Sequence, residues 1–281
     1  MKAKKSLGQN FLKSETALQK IVEAGEINKD DVILEIGPGR GALTLKLLEK
    51  SKHVIAVEKD RELFEFLQNK FSKEIASGTL VLVHEDILNF DITKNKMVLS
   101  FLNGLAGRGT QKTEDLKKIS KPFYFSYKII ANIPYNITGA ILKKFLTETN
   151  QPTLMVLMVQ HEVAKRIIAS DKKESILSIS IKAYGEPKMI MKVPARYFSP
   201  TPKVDSAIIA IKNISRKIFE NNKINEDKFW EIVKKGFAHK RKKLSSNLKT
   251  LKNESSIPLE NLGNKRAEDL SLKDWIVLVK I

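Results

Sequence analysis

The sequence contains no cysteine and only four histidines, His53, His84, His161 and His239. Without cysteine the chain has no disulfide framework, no thiolate zinc site and no cysteine nucleophile. Its longest apolar run, at residues 154–159, is much shorter than the roughly 20 residues that span a bilayer, and no apolar stretch follows the basic N-terminus as in a signal peptide. We therefore expect a cytoplasmic protein with no metal site and no membrane span.

Acidic residues are too few to balance the basic ones: 50 Lys and Arg stand against 32 Asp and Glu, which leaves a net charge of +18. Two stretches, 1–14 and 232–253, contain lysine or arginine and no acid. Such a surface favours a polyanionic partner, RNA or DNA, because phosphate contacts supply affinity that falls with salt. A solvated lysine-rich surface is the alternative explanation. An anionic membrane is less favoured because no apolar helix face accompanies the second stretch.

The first half of the chain alternates between short apolar runs and stretches with helical spacing. The pattern predicts strands over residues 32–36, 53–57, 80–83, 127–131 and 153–159. It predicts helices over residues 42–50, 61–71 and 138–145. Strands that alternate with helices in this way form βαβ units around a parallel, doubly wound sheet. The predicted fold class of this half is therefore α/β.

The pattern changes after residue 213, where apolar side chains recur at helical spacing. Near the end, Ser271-Leu-Lys-Asp274 resembles a capping box that opens a last helix. A chain of 281 residues is long enough for two domains. We place the boundary at this change, with an α/β catalytic domain over 1–212 and a small, basic, all-α domain over 213–281.

Two segments do not fit the alternation. Residues 94–126 are long for an unstructured connection, and we predict a helix at Thr113–Ile119 within them. Residues 176–183 alternate apolar and polar side chains like a strand, although the architecture favours a helix at this point. The sequence leaves that choice open.

A glycine-rich turn, Gly37-Pro-Gly-Arg-Gly41, follows the first predicted strand. Glycines permit positive φ and close approach of a ligand, and Glu58 at the end of the second strand can accept both hydroxyls of a ribose. The combination suits NAD and S-adenosylmethionine alike. The Gly-x-Gly-x-Gly spacing and the preceding Glu35 favour S-adenosylmethionine, because its cationic methionine end tolerates a carboxylate better than a pyrophosphate does. Asp86, past the third strand, is then a candidate acceptor for the adenine amine; a plain βα turn with surface acids is the alternative.

The motif Asn132-Ile-Pro-Tyr135 follows the fourth strand, which lies beside the first in a doubly wound sheet. The exocyclic amine of adenine is a poor nucleophile because its lone pair is delocalised into the ring. The Asn132 side-chain oxygen and the Ile133 carbonyl can each accept one N–H and so direct the lone pair toward a methyl group. Pro134 restricts the chain, and Tyr135 offers a ring on which a flipped base can stack. A simple Asn-x-Pro turn with a surface tyrosine is the alternative.

The ordered motifs of the chain resemble those of the rRNA adenine N6-dimethyltransferases, most closely the bacterial small-subunit members. The resemblance is carried by five segments that span nearly the whole sequence: Ser6–Leu12, Glu35–Gly41, Asn132–Tyr135, Phe198–Ser206 and Phe237–Leu244. In the family these correspond to an N-terminal cofactor motif, the glycine loop, the catalytic motif, a proline-rich segment and a basic helix. The connection 94–126 is longer than usual, and we interpret it as a mobile loop rather than an RNA-binding insertion.

The resemblance implies a class I, Rossmann-like methyltransferase with a small all-α C-terminal domain that binds rRNA. It implies cofactor contacts for S-adenosylmethionine at Asn10, Leu12, Gly37, Glu58, Asp86 and Asn132. It also implies that Asn132 orients the target amine and that Tyr135 and Phe198 stack on the base. The implied reaction is dimethylation of two adjacent adenosines in the 3′-terminal hairpin loop of 16S rRNA, by a monomer acting on the 30S particle late in assembly.

Two other functions are compatible with parts of this pattern. The related 23S rRNA methyltransferases that confer macrolide resistance share the Gln-Asn-Phe and Asn-Ile-Pro-Tyr elements, but Leu7-Gly8 and the full Phe198–Ser206 segment favour the small-subunit branch. A non-catalytic assembly or transcription factor on the same fold is the second alternative. The intact Asn132, Pro134 and Tyr135 argue against it.

Overall fold

The computed structural model of the chain describes residues 3–4, 7–106, 125–249 and 262–280. It divides into two compact units, Met1–His161 with Ile190–Ala210 and Glu162–Met189 with Ile211–Ile281. The second unit thus includes residues 162–189, which the sequence-based boundary assigned to the catalytic domain. The helix predicted at Thr113–Ile119 lies outside the described residues.

Strands form a short antiparallel pair and one large sheet. The pair joins β1 (Phe11–Leu12) to β8 (Phe198–Ser199). The large sheet consists of β2 (Val32–Ile36), β3 (His53–Glu58), β4 (Leu80–His84), β5 (Tyr127–Asn132), β6 (Leu154–Gln160), β7 (Glu186–Val193) and β9 (Ser206–Lys212), in the order β4-β3-β2-β5-β6-β9-β7. The five strands from β2 to β6 pair in parallel, which confirms the predicted doubly wound sheet. Their side chains are buried along almost the whole strand, as helices on both faces require.

Helices connect the parallel strands and recur in the second unit. The first six are α1 (Glu15–Ala24), α2 (Ala42–Leu48), α3 (Arg61–Lys70), α4 (Ser72–Ala76), α5 (Lys96–Ala106) and α6 (Thr138–Thr147). The others are α7 (His161–Ile168), α8 (Ile176–Lys182), α9 (Lys217–Asn222), α10 (Glu226–Gly236), α11 (Leu244–Asn247) and α12 (Leu272–Val279). Within the described ranges, none of them is both long and apolar enough to cross a membrane.

The segment that the sequence left open between strand and helix is α8. Its first turn is closed by a reciprocal cap, in which the Ser175 hydroxyl accepts from the Ser178 N–H at 3.1 Å and the Ser178 hydroxyl accepts from the Ser175 N–H at 2.7 Å. This capping box satisfies two backbone donors that a helix end otherwise leaves unpaired. The local cap therefore outweighs the strand-like alternation of the side chains.

The second unit confirms one predicted helix end and corrects another. Ser271 and Asp274 form the predicted capping box at the start of α12, with the Asp274 carboxylate accepting from the Ser271 N–H at 2.8 Å. The basic helix expected over Phe237–Leu244 is wrong: α10 ends at Gly236, and residues 237–243 form a turn. The Asn247 amide donates to the carbonyl of Gly236 at 2.6 Å, which stabilises the helix end.

The start of α2 depends on close packing at the last glycine of the loop. Gly41 has φ +74°, and a Cβ atom there would lie 2.5 Å from the ring of Phe71. Gly78 has a similar φ of +71°, but no atom of the described residues lies within 4 Å of its Cβ position. A substitution at Gly78 therefore tests the cost of left-handed backbone alone, whereas one at Gly41 adds the cost of a steric clash with Phe71.

We predict that Gly78→Ala lowers the free energy of unfolding by about 1–2 kcal/mol, the cost of a left-handed alanine. Gly41→Ala should lower it by roughly 1–3 kcal/mol more, because Phe71 has to move. Urea denaturation of the two variants measures the difference. A smaller effect for Gly41→Ala than for Gly78→Ala would contradict the packing of Phe71 against the loop.

Candidate active site

A cavity of about 390 Å³ opens at the carboxyl ends of β2, β3 and β5 in the first unit. This is the edge at which doubly wound sheets bind ligands. Five segments supply most of its wall, residues 7–13, 35–40, 57–59, 85–88 and 132–137. Within the described part of the chain, no group of three or more His, Asp or Glu side chains is arranged to hold a metal ion.

Glu58, at the end of β3, holds the glycine loop. Its side chain is buried, and its two oxygens accept from the N–H groups of Gly39 at 3.1 Å and Asp60 at 2.9 Å. Burial raises the pKa of Glu58, and these backbone donors oppose the rise. Each carboxylate oxygen keeps a further lone pair. Glu58 can therefore hold the loop and still accept two hydroxyl groups of a ligand.

Glu35, the last residue but one of β2, is a second buried acid in the same wall, only 1% exposed. Burial is the main reason that the pKa of Glu35 rises to about 8; the Glu58 charge adds to the rise, whereas Thr44 and the Lys70 charge oppose it. Its Oε2 atom has no hydrogen-bond partner among the described residues. The cavity thus contains a carboxyl group that is mostly neutral at pH 7.

The N-terminal segment closes over the glycine loop and is anchored on Asp60. The two carboxylate oxygens of Asp60 accept from the Lys4 ammonium and from the Gln9 side-chain amide, both at 2.8 Å. The Arg40 guanidinium lies over the Phe11 ring, 4.7 Å from its centroid. Sequence reasoning missed this anchor, since an aspartate before α3 signals a helix cap and not a contact with residue 4.

The anchored segment also orients Asn132, at the end of β5. The Asn132 amide nitrogen donates to the backbone carbonyl of Asn10 at 3.1 Å. This bond fixes the rotation of the amide and leaves the side-chain oxygen as an acceptor, with no protein donor assigned to it within the described ranges. The predicted residues Asn10 and Asn132 are therefore coupled directly.

Tyr135 and Asp86 line the same cavity. The Tyr135 hydroxyl shares a hydrogen bond of 2.5 Å with the Ser206 hydroxyl, and burial raises the pKa of the phenol. Asp86 accepts from the Leu88 N–H at 3.0 Å and from the Lys59 ammonium at 2.8 Å, and the Lys59 contact is the main reason that its pKa lies below the usual range. Tyr135 is thus a neutral group at pH 7, whereas Asp86 is charged.

Phe198 does not line this cavity. Its side chain is 1% exposed and belongs to the hydrophobic core of the first unit, where its backbone pairs with Leu12. Its neighbour Ser199, and not Phe198 itself, contributes to the cavity wall. The structure brings seven of the eight predicted site residues to one cavity, namely Asn10, Leu12, Gly37, Glu58, Asp86, Asn132 and Tyr135.

Comparison with known proteins gives consistent matches along the chain. The model of the family described as ribosomal RNA adenine dimethylase matches residues 1–281. The chain is 38% identical to the ribosomal RNA small subunit methyltransferase A of Fusobacterium nucleatum, over 100% of this chain and 97% of that protein. It is 37% identical to the protein of the same name from Francisella tularensis, over 99% and 96% of the two chains.

Two solved structures share the fold. A dimethyladenosine transferase from Plasmodium falciparum superposes with a TM-score of 0.71 at 24% identity, over 95% of each chain. The 23S rRNA methyltransferase ErmE superposes with a TM-score of 0.70 at 22% identity, over 96% of this chain and 98% of its own. The α/β, Rossmann-like methyltransferase fold expected from the resemblance is confirmed. Because the family model matches the whole chain and the relatives align along nearly all of it, the chain belongs to the ribosomal RNA adenine dimethylase family.

Proposed function

We propose that the protein uses S-adenosylmethionine to dimethylate the N6 amines of two adjacent adenosines in the 3′-terminal hairpin loop of small-subunit rRNA, within the 30S particle in the cytoplasm. Membership of the family makes the chain an rRNA adenine dimethyltransferase. The relatives named above as small-subunit enzymes support the choice of rRNA. The observation that carries the chemistry is the oriented Asn132 amide beside a cavity of cofactor size.

The residues of the cavity fit S-adenosylmethionine. Gly37 has φ +62°, and no atom of the described residues lies within 4 Å of its Cβ position, so a ligand can approach the backbone closely. Glu58 offers two acceptors for ribose hydroxyls, and Asp86 offers a charged acceptor for the adenine amine. The buried Glu35 suits the positive methionine end. When bound, S-adenosylmethionine supplies an electrophilic methyl group.

Asn132 and Ile133 prepare the amine of the target base for attack. The free oxygen of Asn132 accepts one N–H and the Ile133 carbonyl accepts the other, which directs the nitrogen lone pair toward the methyl group. Pro134, with φ −61° and ψ 131°, holds the carbonyl before it in place. No strong base is required, because the amine becomes acidic once it is alkylated. The neutral phenol of Tyr135 agrees with a site that works by positioning.

We assign base stacking to Tyr135. Its hydroxyl is tied to Ser206, so the ring is held at a defined angle in the wall and can contribute about 1–3 kcal/mol of stacking. Stacking by Phe198 stays a prediction that the geometry does not favour, since the ring lies in the core. In the arrangement described, Phe198 supports the strand that carries Leu12.

The basic turn of the second unit is the proposed rRNA contact. Its side chains His239, Lys240, Arg241, Lys242 and Lys243 are all exposed. The nearest acidic residues in sequence are Glu231 on one side and Glu254 on the other. A turn that presents four fixed positive charges suits the phosphate backbone better than any neutral surface.

The substrate assignment predicts which adenosines gain mass. Incubation with S-adenosylmethionine and undermethylated small subunits should add two methyl groups to each of two neighbouring adenosines in the 3′-terminal hairpin, as seen by mass mapping of RNA fragments. Naked 23S rRNA, offered in parallel, should stay unmodified. Modification of the 23S rRNA alone would refute the proposal in favour of the large-subunit alternative.

We predict that Asn132→Ala lowers the single-turnover rate of methyl transfer at least about 100-fold, because the amine no longer has one of its two oriented acceptors. Binding of the small-subunit particle should be unchanged. The matched control is Asn89→Ala, an exposed asparagine outside the cavity. Transfer at the normal rate by Asn132→Ala would refute the positioning role.

Charge reversal of Lys240, Arg241 and Lys243 to Glu should weaken particle binding and make it less sensitive to salt. The slope of the logarithm of the binding constant against the logarithm of the salt concentration should become shallower by up to about 0.9 for each phosphate that is no longer neutralised. The control reverses Lys50, Lys52 and Lys73, three exposed lysines of the first unit, and changes the net charge equally. Filter binding between roughly 50 and 200 mM salt measures both. Equal weakening in the two triple variants would show that total charge, and not the basic turn, governs binding.

A further inference from the structure

A single hydrogen bond joins the Asn132–Tyr135 motif to the start of β9. The Tyr135 hydroxyl lies 2.5 Å from the Ser206 hydroxyl, although the two residues are 71 positions apart in the sequence. Ser206 is 0% exposed, whereas Tyr135 is partly buried and lines the cavity. Because a buried hydroxyl that loses its partner costs free energy, Ser206 keeps the Tyr135 hydroxyl at this point.

The backbone around Ser206 is held in place on both sides. β9 begins at Ser206 and lies next to β6 in the large sheet. In the residue before it, the Asp205 carbonyl accepts from the His161 N–H at 2.9 Å. The Asp205 carboxylate accepts from the Ala195 N–H at 3.0 Å and from the Lys192 ammonium at 2.9 Å. Ser206 is therefore a fixed point of the first unit.

The backbone of Tyr135 is constrained as well. Pro134 precedes it with φ −61°, and the short 3₁₀ turn Tyr135–Ile137 follows. The Thr138 hydroxyl donates to the Tyr135 carbonyl at 3.1 Å. The hydroxyl of a tyrosine lies at the far end of the ring from Cβ, so holding both ends fixes the direction in which the ring extends. The bond to Ser206 thus sets where the Tyr135 ring lies in the cavity wall.

The two methyl transfers to one adenosine present different amines to this wall. In each transfer the carbon–sulfur bond of the donor breaks and leaves its electron pair on the sulfur, a carbon–nitrogen bond forms, and the amine releases one proton. Before the first transfer the amine has two N–H groups, for which the proposed function assigns Asn132 and Ile133 as acceptors. Afterwards the nitrogen carries one methyl group and one N–H. The second transfer therefore starts from a base that is oriented by one hydrogen bond fewer.

Stacking on Tyr135 is the orienting contact that both transfers keep. The ring contacts the face of the base, which the first methyl group leaves unchanged. Transfer requires the nitrogen lone pair to point at the methyl donor, so a base that tilts reacts more slowly. With one hydrogen bond lost, the direction of the Tyr135 ring matters more for the second transfer than for the first.

We propose that Ser206 is a positioning residue that holds the Tyr135 ring for the second methyl transfer and so favours dimethylated over monomethylated adenosine as the product. The proposal rests on the proposed function and deepens it. It assigns to a buried serine outside the Asn132–Tyr135 motif an effect on the N6-monomethylated intermediate, through the ring that it holds.

Single-turnover time courses with undermethylated small subunits, excess enzyme and saturating S-adenosylmethionine test this role. Mass mapping of the hairpin fragment gives the unmodified, monomethylated and dimethylated adenosine at each time, and hence the rate constants of both transfers. For Ser206→Ala we expect the ratio of the second rate constant to the first to fall about fivefold, the order of magnitude of one hydrogen bond, so that monomethylated adenosine accumulates. An unchanged ratio would overturn the proposal. No methylation of this hairpin by the unaltered chain would instead refute the proposed function.

Tyr135→Phe keeps the ring and removes the same hydrogen bond from its other end. It should lower the ratio by a similar factor, and it keeps the proposal testable if Ser206→Ala is poorly folded. The double variant should lower the ratio no further, because either substitution alone already removes the bond. Effects that multiply in the double variant would contradict the proposal, since the two side chains would then act independently.

The matched control is Ser51→Ala, a serine of the first unit that is likewise buried, at 2% exposure. Its hydroxyl donates to the Asp31 carbonyl at 2.6 Å, and it lies just before β3, at the opposite end of the strand from the cavity. The substitution should lower stability and leave the ratio of the two rate constants unchanged, because both transfers are followed in the same folded molecules. An equal fall of the ratio in Ser51→Ala and Ser206→Ala would overturn the proposal, since any loss of stability would then explain it.

Discussion

The parallel pairing of β2 with β3 and β5 is the constraint on which the rest of the site depends. It aligns the carboxyl ends of three strands at one edge of the sheet, so that residues distant in sequence end in the same space. The glycine loop leaves β2 there, Glu58 ends β3 and Asn132 ends β5. Because strands of a buried parallel sheet cannot slip without exposing apolar side chains, the core determines the relative positions of the cavity wall and the Asn132 amide.

A chain of polar contacts then converts this edge into a site. Asp60 holds Lys4 and Gln9, which places the N-terminal segment over the glycine loop. The Asn10 carbonyl in that segment accepts a hydrogen bond from the Asn132 amide nitrogen, which leaves the Asn132 side-chain oxygen as the available acceptor. The cavity wall and the proposed acceptor, Asn132, are thus joined by hydrogen bonds. Binding of a cofactor against residues 7–12 would stabilise the productive rotamer of Asn132 as well.

The sequence was most informative where apolar runs are continuous. The strand Val32–Ile36 has the predicted bounds, and its carboxyl-end motifs meet as expected, because burial on both faces leaves an unambiguous signal. The local sequence pattern predicted the capping box at Ser271, whose partner is Asp274. It did not predict the one at Ser175, because Ser178 takes the place of the usual acidic partner. The Lys4–Asp60 contact joins residues far apart in sequence, and the burial of Phe198 depends on tertiary packing. Neither leaves a local pattern to find.

The cavity at the ends of β2, β3 and β5 is the proposed binding site of S-adenosylmethionine. Ultraviolet crosslinking of the methyl-tritiated compound to the intact chain, followed by peptide mapping, tests it most directly. We predict saturable labelling, displaced by S-adenosylhomocysteine, in peptides that contain residues 7–13, 35–40 or 132–137, the segments that form the wall. Label confined to peptides of the second unit, or label that unlabelled S-adenosylmethionine does not displace, would contradict the assignment of this cavity.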